Sequence, residues 1–210
     1  MGAVIVGRRA ARSESLNVLR GQRTRRRILE AARARILATS FEDLRLDDLA
    51  ADAGITKAAV VKSVGGKGAI LLELGDEDRA TRQDAIRQAM RRRTALPRRL
   101  GDLARTLFEL DVPRFPVVMA YIGYMWFWTA AEHDRAQAMV DETRALLCDL
   151  IVHASPVRPS PDCVRILSLR FLGAYVIGLR DLRYGRATID QSVALVVDYC
   201  IEAARDRPRL

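Results

Sequence analysis

The stretch LAADAGITKAAVVKSVGGK, residues 49–67, decides the fold of this chain and contains all of its lysines. Two short apolar runs meet at Gly54, a residue that permits the left-handed backbone of a tight turn between helices. Ala50 is small where the two helices would cross, and Val60 would close the miniature core between them. The spacing therefore predicts two short helices packed across a turn, the helix-turn-helix arrangement.

The second of these helices has a well-specified start and a distinct outer face. Thr56 stands at its beginning, and a threonine hydroxyl there accepts from a free backbone N–H, an interaction worth about 1 kcal/mol. With Val60 and Val64 turned inward, helical periodicity leaves a basic and small-residue face outward. A helix with such a face fits the major groove of DNA.

Composition and charge predict an all-helical chain with one basic half. The chain has 210 residues, of which 50% are hydrophobic, and its wealth of alanine, leucine and arginine favours helices. Residues 1–100 hold 22 Lys+Arg against 12 Asp+Glu, whereas residues 101–210 hold 13 against 14. The positive excess of the first half indicates a polyanionic partner, with nucleic acid first and an anionic membrane surface second.

Apolar residues recur at helical spacing along most of the chain, and neither strand-like alternation nor an internal repeat occurs. Glycine pairs and prolines mark the breaks between the helical segments. We expect helices over residues 24–40, 46–53, 57–64, 67–93, 98–110, 114–131, 133–153, 162–184 and 188–205. Residues 1–22 have no period and several arginines, so a loose basic arm is expected there.

The residues that usually carry metal or catalytic chemistry form no recognisable set. His133 and His153 lie far apart in sequence without neighbouring cysteines, so no metal site is expected. Phosphate-binding loops, nucleophile elbows and dinucleotide-binding glycine motifs are missing from the sequence, so we expect neither an enzyme nor a cofactor. Three cysteines without paired spacing favour reduced thiols and a cytoplasmic protein.

The uncharged run FPVVMAYIGYMWFWTAA, residues 115–131, is the one segment that suggests a membrane. Its 17 residues fall short of the ~20 that a spanning helix needs, so a buried helix of a soluble domain is favoured. The run also concentrates aromatic residues with polar groups, beside Met125 as an adaptable filler. Such residues either fill a core or line a mostly apolar small-molecule pocket, and as a group they mark the expected pocket wall.

The segment TRRRILEAARARILATSFEDLRLDDLAADAGITKAAVVKSVGGKGAILLEL, residues 24–74, resembles the N-terminal domain of the TetR family of transcriptional repressors. A first helix of the form TRxxILxAA precedes an aromatic residue at a turn, the helix-turn-helix, and a lysine that opens the fourth helix. The resemblance implies an all-α chain whose C-terminal domain binds a ligand and forms a homodimer. It divides the chain into a basic flexible arm (1–22), a helix-turn-helix DNA-binding domain (23–66), a connecting helix (67–93) and a ligand-binding and dimerisation domain (94–210).

Several positions depart from the family's pattern. A glycine is usual at Ser40, hydroxyl residues at Leu44 and Arg45, a tyrosine at Val61 and often a phenylalanine at Val64. Arg45 cannot cap its helix with a hydroxyl, although its guanidinium can reach a phosphate. Val61 cannot make the phosphate hydrogen bond of a tyrosine. We therefore expect DNA affinity to rest on the lysines at 57, 62 and 67 and on the arm.

The candidate site residues fall into three sets. The predicted DNA-binding set consists of Arg23, Thr24, Arg45, Thr56, Lys57, Ala58, Ala59, Val61, Lys62, Ser63 and Lys67. The predicted ligand-pocket set consists of Tyr121, Tyr124, Met125, Trp126, Trp128, Phe171 and Tyr175. The last two helices are apolar around much of their circumference, which predicts a dimer interface with Leu169, Gly173, Val176, Ile177, Val193, Val196, Val197 and Cys200.

Together these features predict a ligand-responsive DNA-binding regulator, a repressor released from a palindromic double-stranded operator by an apolar or aromatic small molecule. Two other classes stay open. One is a helical ligand-binding or interaction protein whose helix-turn-helix has degenerated. The other is a basic protein associated with a membrane.

Overall fold

The computed structural model describes the backbone of residues 3–205 and the side chains of residues 18–202. Within that range the chain consists of α-helices and one 3-10 turn, without a strand. The helices are α1 (Ala3–Ala38), α2 (Leu46–Asp52), α3 (Lys57–Val64), α4 (Lys67–Arg91), α5 (Leu96–Asp111), α6 (Phe115–Tyr124), α7 (Ala130–Ala154), α8 (Pro161–Arg183) and α9 (Ile189–Arg205), with the 3-10 turn at Val112–Arg114. The expected all-α class is confirmed.

The first helix is longer than the sequence predicts. α1 begins at Ala3 instead of near Thr24, so the backbone is helical through most of the segment expected to be a loose arm. Alanine, leucine and arginine are good helix formers, and no proline precedes Thr24 to end the helix. Side chains before Val18, including the arm residues Arg8, Arg9 and Arg12, lie outside the described residues.

The uncharged run is divided between two helices. α6 ends at Tyr124 and α7 begins at Ala130, so the single helix expected over residues 114–131 is wrong. Thr129 accepts a hydrogen bond from the backbone N–H of Glu132 over 3.4 Å, and the Glu132 carboxylate accepts from the backbone N–H of Thr129 over 2.9 Å. This reciprocal capping favours a new helix start, and the Thr-x-x-Glu spacing is its signature in the sequence.

Two hydrophobic cores correspond to the two halves of the chain. The first joins α1, α2 and α3 to the beginning of α4, and the second joins the end of α4 to α5, α7, α8 and α9. α4 contributes to both, with Ile70 and Leu74 in the first core and Ile86 and Ala89 in the second. α4 therefore connects the two halves through its packing as well as its backbone.

α6 also contacts the first core, although it belongs to the C-terminal half. Val117 is buried in that core, and the Tyr124 ring meets the Phe41 ring edge-on with centroids 5.2 Å apart. Gly68 of α4 leaves room for this approach, since a Cβ there would lie 2.9 Å from Tyr124 Cε1. A displacement of α6 would therefore change the packing of the helices that position α3.

Candidate DNA-binding surface and ligand cavity

The turn between α2 and α3 has the geometry that the sequence predicts. Gly54 adopts a φ of 61°, in the left-handed region that favours glycine. The backbone N–H of Ile55 donates to the carbonyl oxygen of Ala50 over 2.9 Å and closes the turn. Leu49 and Ala50 are buried against Val60, so α2 holds α3 in a fixed orientation.

α3 presents one face to the core and the other to solvent. Thr56 accepts from the backbone N–H of Ala59 over 3.2 Å, which confirms the predicted cap. Val60 and Val64 are buried, whereas Val61 is 47% exposed on the outer face. At the start of α2, Arg45 makes no side-chain capping hydrogen bond, as the missing hydroxyl predicts.

The three lysines differ in what they contact. Lys57 pairs with Asp47 of α2 over 2.9 Å. Lys67 donates to the carbonyl oxygen of Glu42 over 3.0 Å and lies 4.8 Å from the centroid of the Phe41 ring. Within the described residues, Lys62 makes neither an ion pair nor a side-chain hydrogen bond, so it is the lysine whose charge is fully available to an anionic partner.

A hydrogen bond and two ion pairs connect the end of α3 with α1, α4 and α7. Arg25 of α1 donates to the carbonyl oxygen of Ser63 over 2.8 Å and pairs with Glu73 of α4 at 2.5 Å. Arg135 of α7 reaches the same carboxylate at 2.7 Å. Burial raises the pKa of Glu73, but the hydrogen bonds from Arg25 and Arg135 outweigh burial and hold that pKa below its ordinary value.

Every member of the predicted DNA-binding set lies at the surface or at its edge. The exposed members are Arg23, Arg45, Thr56, Lys57, Ala58, Val61 and Lys62, and the half-buried members are Thr24, Ala59, Ser63 and Lys67. The set combines the outer face of α3 with the start of α2 and positions along α1 and α4.

A cavity of about 230 Å³ lies in the C-terminal half among α4, α5, α6, α7 and α8. Its wall is mostly apolar, with a few charged and hydroxyl groups, which is the usual composition of a small-molecule site. The lining residues are Gly75, Asp78, Arg79, Arg82, Asp111, Val117, Val118, Tyr121, Ile122, Met139, Val140, Thr143, Leu172 and Tyr175.

One wall of the cavity depends on a close approach between α4 and α6. A Cβ on Gly75 would lie 2.7 Å from Cε2 of Tyr121, so the bare backbone of Gly75 makes room for the tyrosine ring. Tyr121 in turn meets Trp128 edge-on, with ring centroids 5.0 Å apart. The tyrosine is held between a glycine and a tryptophan while one side of it lines the cavity.

A buried polar cluster forms another part of the wall. Arg82 donates from Nε and Nη2 to the two carboxylate oxygens of Asp111, over 3.2 and 2.9 Å. The hydroxyl of Tyr175 lies 2.7 Å from Asp111 Oδ2 and donates to it. Burial, followed by the negative charge of Asp111, raises the pKa of Tyr175, so the phenol stays protonated. Burial lowers the pKa of Arg82, but the charge and hydrogen bonds of Asp111 outweigh burial and raise that pKa above its ordinary value. The guanidinium therefore stays charged.

Asp78 connects the cavity to the N-terminal helices. It lines the cavity from α4, accepts from Arg33 of α1 over 3.0 Å, and accepts from Arg114 of the 3-10 turn over 2.9 Å. Only a small part of its side chain is exposed, and a buried carboxylate is stable only when it is paired. A molecule that altered the position of Asp78 would therefore act on α1 directly.

The predicted ligand-pocket residues are only partly brought together. Tyr121 and Tyr175 line the cavity, and Phe171 stacks on Tyr175 from the core behind it. The others lie outside the lining: Tyr124 packs on Phe41, Trp128 supports Tyr121, Met125 lies in the exposed turn after α6, and Trp126 is 83% exposed. α6 ends before Met125, which removes that residue and Trp126 from the helix face that meets the cavity.

The charged lining residues are not predicted by the sequence. Asp78, Arg82 and Asp111 resemble ordinary surface charges in a chain with many arginines, and nothing local marks them as buried. Arg82 and Asp111 are 29 positions apart and meet through the packing of α4 on α5. The capping signature at Thr129, in contrast, is present in the sequence and is enough to remove the turn residues from the pocket set.

The predicted dimer residues separate into surface and core positions. Leu169, Gly173 and Ile177 are exposed on α8, and Val176 is half-buried beside them. Val196 and Cys200 are buried inside the chain, so they are core residues and not interface residues, because α9 packs that face on α8 and α5. Val193 and Val197 are half-buried and lie beside Gly101 of α5. Leu195 and Tyr199, which the prediction omits, are exposed on α9.

Two further findings concern the described part of the chain. It contains no cluster of His, Cys, Asp and Glu side chains that could hold a metal ion. None of the helices described is both long enough and apolar enough to cross a membrane.

Comparison with known proteins gives a clear result at the level of structure. No sequence-family model matches the chain, and no curated protein sequence matches it significantly. PfmR, a TetR-family transcriptional regulator from Thermus thermophilus, is similar with a TM-score of 0.62 and 19% identity, over 87% of this chain and 100% of that one.

Two further solved structures contain ligands. FadR from Bacillus subtilis, in complex with stearoyl-CoA, has a TM-score of 0.66 and 12% identity over 87% of this chain and 98% of its own. AibR, in complex with isovaleryl coenzyme A and operator DNA, has a TM-score of 0.61 and 18% identity over 83% of this chain and 96% of its own. The chain has the fold of helix-turn-helix regulators. More narrowly, it is the fold of the TetR family of transcriptional regulators.

Proposed function

We propose that this chain is a ligand-responsive, DNA-binding transcriptional regulator that acts as a homodimer in the cytoplasm and carries no enzymatic activity. The observation that carries the proposal is the outer face of α3, a capped helix that follows a glycine turn and exposes Lys57, Ala58, Val61 and Lys62. An exposed helix face of lysines and small side chains is suited to entering a major groove.

The homodimer would form through the exposed side chains of α8 and α9. Leu169 and Ile177 on α8, together with Leu195 and Tyr199 on α9, give each protomer an apolar surface that a two-fold partner would cover. A four-helix bundle of these helices would carry two recognition helices, one for each half of a palindrome. Their separation would be about 34 Å, the spacing of successive major grooves.

The ligand would occupy the cavity and bias the spacing of the recognition helices. α6 lines the cavity with Val117 and Tyr121 and also packs on the first core, while Asp78 reaches α1 through Arg33. A ligand that favours a dimer with wrongly spaced helices releases the operator, and such coupling is typically about 1 to 3 kcal/mol. The chain would then be a repressor. The complexes of FadR with stearoyl-CoA and of AibR with isovaleryl coenzyme A support a small-molecule ligand for this fold.

An electrophoretic mobility shift with the DNA upstream of the chain's own gene tests the proposal. The purified protein should shift this fragment, but not a shuffled fragment of equal length, and the affinity should fall as salt rises because phosphate contacts release counterions. Absence of a sequence-selective shift at physiological salt would defeat the regulator and favour a binding protein with a degenerate helix-turn-helix. Binding to anionic vesicles in place of DNA would favour the membrane-associated alternative.

A further inference from the structure

The charges that line the cavity neutralise one another. Two carboxylates, Asp78 and Asp111, and two guanidiniums, Arg79 and Arg82, are present in the wall. The Arg82 guanidinium holds Asp111 by two hydrogen bonds, and Asp78 is held by Arg33 and Arg114 from outside the lining. The cavity therefore offers no net charge to a ligand of either sign.

Both lining cations already have carboxylate partners. Besides the pairing of Arg82 with Asp111, Arg79 pairs with Asp76 of its own helix over 2.9 Å and also with Glu142 of α7. An organic carboxylate entering the cavity would have to displace one of these carboxylates or add an excess negative charge beside them. A buried charge without a partner is strongly unfavourable, and the same argument applies to a cationic ligand that would compete with the arginines.

An uncharged group in the wall also offers hydrogen-bonding capacity. The hydroxyl of Tyr121 has no hydrogen-bond partner among the described residues, although burial raises its pKa and keeps it protonated. The two other hydroxyl groups of the lining already donate hydrogen bonds, Thr143 to the carbonyl oxygen of Met139 over 3.1 Å and Tyr175 to Asp111 over 2.7 Å. The remaining lining is largely hydrocarbon, from Val117, Val118, Ile122 and residues of α7 and α8.

We propose that the cavity selects an electrically neutral, mostly hydrocarbon effector with one hydrogen-bonding group, and that it discriminates against organic anions and cations. The effector's polar group would face Tyr121, and its hydrocarbon part would lie along α6 and α7. The cavity volume of about 230 Å³ is below the range of about 300–1,000 Å³ typical of sites for drug-sized molecules, which favours a small ligand. The role of this ligand as an effector rests on the proposed regulatory function, whereas the charge preference rests on the cavity alone.

Isothermal titration calorimetry with octanol, octanoate and octylammonium tests the charge preference, since the three share one alkyl chain. The wild-type protein should bind octanol at least about tenfold more tightly than either ion, a ratio that corresponds to about 1.4 kcal/mol. Equal or tighter binding of octanoate or octylammonium would overturn the proposal, and so would the absence of octanol binding at its solubility limit.

Two variants test whether the charge preference arises in this cavity. Val118→Phe adds bulk to the lining and should weaken octanol binding at least about tenfold, while unchanged binding would place the alcohol elsewhere and overturn the proposal. Asp111→Asn removes the counterion of Arg82, so the ratio of octanoate to octanol affinity should rise several-fold, and an unchanged ratio would contradict the proposed neutralisation. If Asp111→Asn fails to fold by circular dichroism, the ranking of the three probes by the wild-type protein decides.

A mobility shift run in parallel separates this inference from the proposed function. A protein that prefers octanol but does not shift its own upstream DNA would retain the charge preference and lose the regulatory role. A protein that shifts the DNA but binds octanoate best would remain a regulator and contradict the inference.

Discussion

Arg33 of α1 donates from Nη1 to Asp78 Oδ2 over 3.0 Å, and this contact joins the helix in front of the helix-turn-helix to the wall of the cavity. The two residues are 45 positions apart in the sequence. Arg33 also pairs with Glu77, while Asp78 also accepts from Arg114. Because both partners have a second contact, a change at the cavity can shift the pairing without leaving either charge unpaired.

Lys62→Ala should weaken DNA binding across all sequences. Lys62 has no partner among the described residues, so its charge is available to a phosphate. Its loss from both protomers of the dimer should reduce the slope of log affinity against log salt by about 1.8, which is about 0.9 for each phosphate contact. Arg98→Ala is the control, because Arg98 is an exposed cation on α5, outside the predicted DNA-binding set, and pairs with Asp102. Mobility shifts at several salt concentrations measure both variants, and an unaltered slope for Lys62→Ala would remove this lysine from the interface.

Ile177→Arg should convert the homodimer to a monomer. Ile177 is 46% exposed on α8, so an arginine there fits the isolated protomer but places two buried charges across a two-fold interface. Val157→Arg, at a site 78% exposed outside α8 and α9, should leave the dimer intact. Sedimentation velocity distinguishes the species, and a monomeric wild-type protein would already contradict the proposed interface.

Gly54→Ala should destabilise the N-terminal domain by about 1 to 2 kcal/mol. The φ of 61° is unfavourable for a residue with a Cβ, although the nearest side-chain atom, Arg27 Nη2, would still be 3.6 Å away. The cost therefore comes from the backbone and not from a clash. Gly21→Ala, in an open position of α1, should stabilise by about 0.5 to 1 kcal/mol, and urea unfolding compares the two. Equal effects of both changes would argue against the turn.

Trp128→Phe should leave stability unchanged or raise it slightly, whereas Trp128→Ala should cost about 3 kcal/mol. The indole Nε1 of Trp128 is buried and has no hydrogen-bond partner among the described residues, and an unpaired buried donor carries a desolvation cost of about 1 to 3 kcal/mol. Phenylalanine removes that donor and retains an aromatic contact with Tyr121. Thermal unfolding measures the difference, and similar losses in both variants would indicate a partner for the indole.

Glu73→Gln should change how stability depends on pH. The pKa of Glu73 in the folded chain lies below its ordinary value of 4.5, because Arg25 and Arg135 bind the carboxylate. Its contribution to stability is therefore complete above about pH 4.5 and is lost as the pH falls through the lower, folded-state pKa.

Urea unfolding from neutral to acidic pH measures this effect. The wild-type protein should be the more stable at neutral pH, and its advantage over Glu73→Gln should shrink on acidification. Glu30→Gln, at an exposed ion pair with Arg26, is the control and should show little difference at any pH. An advantage of the wild-type protein that stays constant to low pH would show that the ion pairs of Glu73 contribute nothing.

Features with local signals can be predicted from the sequence, and features that depend on distant contacts cannot. The bounds of α3, Lys57–Val64, agree with the prediction because a capping threonine and a glycine mark its two ends. The buried cluster of Arg82, Asp111 and Tyr175 has no such marks, since its members come from three helices. The apolar composition around Trp126 predicts burial in the pocket, whereas the turn after Tyr124 directs this side chain to solvent.

The missing side chain at Gly75 lets the Tyr121 ring approach α4 closely at the cavity wall. Any larger residue at this position would force the Tyr121 ring, which lines the proposed ligand cavity, to shift. Because Tyr121 also packs against the first core, such a shift would reach the helices around α3 as well as the cavity. A one-atom enlargement, from glycine to alanine, would thus disturb the proposed signal-binding and DNA-binding parts of the chain together.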